Sequence, residues 1–113
     1  MSRLKDDKVF LKHILAEAEF IASATAGLNY EALLKDGTLQ RAILRSLEII
    51  GEASKQVSPE FKVAHEEIEW KAMAGLRDKL IHAYFGVDWR TVWSVINDKI
   101  PPLREAVEAL LRE

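Results

Sequence analysis

Three side chains between positions 77 and 84 have the types and spacing for phosphodiester chemistry. The run Arg77-Asp78-Lys79-Leu80-Ile81-His82-Ala83-Tyr84 offers a guanidinium, then an imidazole, then a phenol. His82 carries the one side chain type here whose ordinary pKa lies near neutrality, so it can serve as general acid or base. Arg77 can hold a phosphate through two parallel hydrogen bonds and stabilise charge that builds up on phosphorus. Tyr84 can donate a hydrogen bond or stack on a base. RNA brings its own nucleophile, the 2′-hydroxyl, so such a set requires no metal. The expected products are a 2′,3′-cyclic phosphate and a 5′-hydroxyl.

The stretch reads as an amphipathic helix from about Glu69 to Ala83 or Tyr84, with Gly86 as its C-terminal stop. Trp70, Met73, Ala74, Arg77, Leu80, Ile81 and Tyr84 recur at helical spacing on one face, and Arg77 is the member that is neither apolar nor aromatic. A guanidinium on such a stripe needs an anion or a cleft. The geometry is demanding, because five residues of ideal helix turn about 500°, which leaves His82 roughly 140° around the axis from Arg77. The two can converge if the helix end unwinds, or if two copies of the chain meet across a dimer axis. Two copies would also supply two imidazoles, one as base and one as acid. Against this stands a purely structural account, with Arg77 ion-paired on its own helix and His82 favoured by the helix macrodipole.

The elements that must position this run are all helical. A first helix spans about Asp6 to Ala26, with Leu11, Ile14, Leu15, Ala18, Ile21, Ala22 and Thr25 on one stripe and Gly27 as its stop. A single turn is expected at Glu31 to Leu34. Asp36 or Thr38 caps the next long helix, which runs to about Val57. That helix is apolar on more than one side, through Leu39, Ala42, Ile43, Leu44, Leu47, Ile49, Ile50 and Ala53. Its charges fall on one narrow stripe, Arg41, Arg45, Glu48, Glu52 and Lys55. The stripe is either a solvated face or the wall of a cleft in which Glu52 or Glu48 pairs with the motif arginine. Ser58-Pro59-Glu60 opens a short helix through about Glu66. His13 and His65, each among charges, read as solvent-facing. Asp88 caps a helix whose stripe is Trp89, Val92, Trp93 and Ile96. Pro101-Pro102 breaks the chain, and Pro102 starts the last helix. With no alternating run and no linker, the expectation is one all-α domain over 1–113, an up-and-down bundle of four longer helices plus short ones.

Composition narrows the chemistry. The 113 residues suffice for one core, and the formal net charge of −2 provides no broad basic footprint, so DNA binding is not expected. The absence of Cys removes thiolate metal sites and a thiol nucleophile. His13, His65 and His82 lack ligand spacing with paired carboxylates, there is no glycine-rich phosphate loop, and no nucleophile motif surrounds a Ser. Neither a metal nor a cofactor is expected. The polar, mixed-charge start does not read as a signal peptide and no apolar run has membrane-spanning length, so the expected location is the cytoplasm. The generous apolar surface favours a homodimer.

The run from Arg77 to Tyr84, followed by Phe85-Gly86-Val87-Asp88, resembles the Arg-x4-His-x-Tyr motif of the HepT-like proteins of the HEPN superfamily. Gln40-Arg41-Ala42, Leu47-Glu48-Ile49-Ile50-Gly51-Glu52-Ala53, Ser58-Pro59-Glu60 and Trp70 extend the likeness over nearly the whole chain. The resemblance implies a HEPN-type bundle and a homodimer with the motif of both subunits at a shared cleft. It implies a metal-independent RNase, the toxin of a toxin–antitoxin pair, with Arg77 and His82 catalytic. The implied partner is a minimal nucleotidyltransferase antitoxin that transfers AMP to Tyr84, placing bulk and negative charge where an RNA phosphate would sit. Asp78 stands where many members carry Asn, and its carboxylate is expected either to pair with Arg77 or to repel the scissile phosphate. A non-catalytic dimeric partner of a nucleotidyltransferase is the alternative.

Overall fold

The structure is a computed structural model that describes residues 3–82 and 86–113, the side chains of 3–5, 77 and 80–82 apart. The described residues form seven α-helices and one π-helical turn joined by short loops, with no strand among them: α1 Arg3–Thr25, α2 Tyr30–Lys35, α3 Gly37–Gln56, α4 Pro59–Ala64, α5 Trp70–His82, α6 Trp89–Ser94, the π turn Val95–Lys99, and α7 Ile100–Leu111. Four of them are long and three short, the all-α bundle that the periodicity implies.

The ends of the helices follow from local chemistry. Gly27 closes α1 at φ 75°, a left-handed conformation that suits a residue without a Cβ. Asn29 caps α2 by accepting from the Ala32 amide at 2.9 Å, and Asp36 rather than Thr38 caps α3 through the Leu39 amide at 3.0 Å. Ser58 caps α4, with Pro59 in its first turn. Gln40 donates to the Leu33 and Leu34 carbonyls, satisfying the end of α2 from the start of α3.

The central element is α3. It packs against α1, α2 and α5, while α1 in turn packs against α7. Ile43, Leu47, Ile50 and Ala53 of α3 are buried with Leu11, Ile14, Ala18 and Ile21 of α1. Ile100, Leu103, Val107 and Leu110 of α7 belong to the same core. A helix with three neighbouring helices must be apolar over most of its circumference, which accounts for its sequence. Two polar contacts lock α1 in register. The Ser46 hydroxyl of α3 donates to Glu17 at 2.8 Å. The buried Asp7 carboxylate accepts from the Ser58 amide at 2.8 Å and from the Ser58 hydroxyl at 2.7 Å.

Three expectations are corrected. First, Pro101-Pro102 does not break the chain, which stays helical from Trp89 to Leu111. Both prolines sit in the first turn of α7, where a missing N–H is tolerated, and the Ile100 amide donates five residues back to Val95 through the π turn. Second, α4 ends at Ala64 rather than Glu66, and α1 starts at Arg3 rather than Asp6. Third, His65 is half-buried rather than solvent-facing: its ring lies 4.3 Å from that of Phe61, with Nδ1 3.5 Å from Glu67.

Candidate active site

Helix α5 carries the run through His82, and its start is pinned. Trp70 is buried and its indole N–H donates to the His65 carbonyl at 2.8 Å, while Phe61 meets the ring edge-on at 6.2 Å. Met73 is buried one turn later, and Leu76 packs against the core. Glu69 pairs with Lys99 of the π turn at 3.3 Å. The helix thus enters the motif from a fixed origin, with α3 along its side.

Arg77 and His82 both lie within α5, which is regular α-helix through His82. The unwinding that would bring the two together does not occur before His82. Their directions around the axis therefore stay roughly 140° apart on a single helix. The side chains of Arg77, Leu80, Ile81 and His82, and the whole of Tyr84, lie outside the described residues, as does the expected helix end at Ala83 or Tyr84.

Asp78 is described, and it is exposed. Its carboxylate receives the Lys55 ammonium of α3 at 3.2 and 3.3 Å. Lys55 stands at the C-terminal end of the charged stripe on α3. Arg41, Arg45, Glu52 and Lys55 of that stripe are exposed and Glu48 is half-exposed, with Arg45 and Glu48 paired to each other. The stripe is therefore largely solvated, yet its last cation reaches across to the residue after the motif arginine. Sequence reading placed Lys55 on the stripe but missed this contact. The one available signal was a cation at the stripe's end, since a partner 23 positions away on another helix leaves no periodic trace.

On the far side of the motif, Asp88 caps α6 through the Arg90 and Thr91 amides at 3.0 and 3.2 Å and the Thr91 hydroxyl at 2.9 Å. The Thr91 hydroxyl bond is the chief cause holding the carboxyl below its usual range. The Thr91 amide acts the same way, as do, more weakly, the Arg90 amide and the charge of Lys79, against desolvation. Arg90 lies over the Tyr30 ring at 4.6 Å, and Tyr30 is 6.2 Å from Trp93, which ties α6 to α2.

A small cavity of about 80 Å³ opens beside Leu76, Lys79, Gly86, Val87 and Asp88. It is too small for a nucleotide, which needs roughly 300 Å³ or more. A wider depression of about 660 Å³ lies elsewhere, between α1 and α4. Asp6, Asp7 and Glu60 line it, a set of carboxylates that repels phosphate. Among the described residues no three His, Asp or Glu side chains cluster closely enough to hold a metal ion. No helix among them is long and apolar enough to cross a membrane.

The chain is thus an all-α bundle with Arg77 and His82 on one helix, and comparison with known proteins places it in a family. A family model described as ribonuclease HepT-like matches residues 14–110, and the chain belongs to that family. A protein of Caldanaerobacter subterraneus subsp. tengcongensis named "Putative RNase TTE0752" is 46% identical over 110 residues, covering 97% of this chain and 98% of its own. "Probable ribonuclease HepT" of Thermococcus cleftensis is 45% identical over 106 residues, covering 94% and 96%. A Methanocaldococcus jannaschii protein named "Putative RNase MJ0127" is 38% identical over 109 residues, covering 96% and 90%. No solved structure matches the chain.

Proposed function

We propose that this chain is a metal-independent endoribonuclease. It is the cytoplasmic toxin of a type VII toxin–antitoxin pair, working as a homodimer and silenced when a minimal nucleotidyltransferase antitoxin AMPylates Tyr84. The observation that carries the reading is the match to the ribonuclease HepT-like family over residues 14–110, a span that contains Arg77, His82 and Tyr84. The relatives named as ribonucleases match over nearly their full length, which supports the same activity here.

In this mechanism His82 removes the proton from the 2′-hydroxyl, whose oxygen attacks the adjacent phosphorus. Arg77 stabilises the charge on the equatorial oxygens, and the P–O5′ bond breaks as a second imidazole protonates the leaving oxygen. The products are the cyclic phosphate and the 5′-hydroxyl. The continuity of α5 through His82 supports the dimer, because a second copy can bring its imidazole to the Arg77 side of the first. Silencing follows by attack of the Tyr84 phenol oxygen on the α-phosphorus of ATP, with pyrophosphate leaving. The adenylyl phosphate then competes for Arg77.

The deciding experiment is cleavage of RNA by unmodified protein in EDTA, with His82→Ala and Arg77→Ala in parallel. Activity that persists in EDTA and disappears in both variants is expected. Activity that needs a divalent ion, or that survives His82→Ala, would rule the mechanism out. The exposed Asp78 carboxylate beside the motif arginine favours one second reading, a non-catalytic dimer that serves as the nucleotidyltransferase's substrate. That reading predicts an AMP adduct on Tyr84 by mass spectrometry and no cleavage by the unmodified chain.

A further inference from the structure

The 140° arc of α5 between Arg77 and His82 is not empty. Asp78 follows Arg77 by about 100° around the axis and precedes His82 by one turn, on nearly the same face. Asp78 adjoins Arg77 in the chain and lies on the His82 side of it, so its charge contributes to the field at a phosphate held by either residue. Left alone, a carboxylate there repels the substrate. It is not left alone, since Lys55 crosses from α3 and sits on both of its oxygens.

We propose that Lys55 is a positioning residue of the RNA site: it holds and neutralises Asp78, so that an Asp at this position is compatible with binding the RNA backbone. The inference rests on the ribonuclease reading given above. Its action is through Asp78, not through direct contact with RNA. The half-exposed ammonium and the more exposed carboxylate, at 36% and 58%, make a pair whose value as a stability element is small. Its consequence lies in the local field. With both residues present their charges cancel, with Lys55 removed the site carries one extra negative charge, and with Asp78 removed it carries one extra positive charge.

The test is steady-state cleavage of a short RNA, with binding of a 2′-O-methyl version that cannot be cleaved, for wild type, Lys55→Ala, Asp78→Asn and the double variant. Both positions are exposed, and thermal unfolding checks that each variant folds. Lys55→Ala is expected to raise KM and Kd about threefold with kcat little changed, the size of one extra charge several ångströms away in water. Asp78→Asn lowers both constants, and the double variant returns close to wild type. All differences shrink at high salt. A Lys55→Ala protein indistinguishable from wild type would overturn the proposal. So would a double variant as weak as Lys55→Ala, which would make Lys55 a direct RNA contact. Wild type that neither binds nor cleaves RNA sinks the ribonuclease reading and this proposal together. Cleavage by wild type with an unaffected Lys55→Ala sinks the Lys55 assignment alone.

Discussion

In the proposed mechanism Arg77 does two things at once, carrying charge and presenting a planar fork. Arg77→Lys separates them, keeping the charge and losing the paired donors. The expected result is a KM close to wild type and a kcat lower by roughly 10²-fold, measured on the same RNA. A raised KM with kcat unchanged would instead make Arg77 a plain phosphate anchor. Asp7 bears on stability rather than chemistry. It is buried at 3% exposure and takes both hydrogen bonds that Ser58 can donate. Asp7→Ala leaves the Ser58 amide without its partner and frees α4 from α1. The cost should be about 1–3 kcal/mol in urea unfolding, with the m-value unchanged. A loss within a few tenths of zero would mean that solvent replaces the carboxylate.

At the scale of the element, what was legible divides by distance along the chain. The caps Asp36, Ser58 with Pro59, and Asp88, and the stop Gly27, could be read because each acts within three or four residues of itself. The apolar faces of α1 and α3 could be read because burial follows the helical repeat. Three contacts had no such trace: Asp7 to Ser58, Ser46 to Glu17 and Lys55 to Asp78 join residues 51, 29 and 23 positions apart. The π turn escaped because two prolines look the same before a break and inside a first helical turn. The Asp88 cap gives a pH prediction. Its carboxyl is held below 3.8, its value when unperturbed, so the cap is fully charged above that pH and is lost as pH falls through the lowered folded value. Asp88→Ala should therefore lower the thermal midpoint at neutral pH, and the gap from wild type should close below about pH 3.8. A gap that stays constant into acid would show that the carboxylate charge is not what caps α6.

For the whole molecule, the bundle was legible and the candidate site only partly so. Periodicity identified α5 and the odd Arg77 on its stripe, and helix geometry separated Arg77 from His82, but no single chain dictates how two copies meet. Mixing variants addresses that directly. Under the proposed two-imidazole mechanism, wild type unfolded and refolded with an excess of His82→Ala should lose more activity than its dilution accounts for, because a mixed pair owns one imidazole where the reaction needs two. Activity that falls only in proportion to the wild-type fraction would place a complete site within one subunit. The packing of α7 on α1 carries a consequence in time. Leu11, Ile14 and Ala18 are buried in a core that also needs Ile100, Leu103 and Val107. During synthesis at roughly 5–20 residues per second, the first helix waits several seconds for its last neighbour. Chains halted before Ile100 should show helix by circular dichroism but no cooperative melt. A chain built this way stays unassembled until its last helix is made, so the fold and any activity that depends on it arrive together at the end of synthesis.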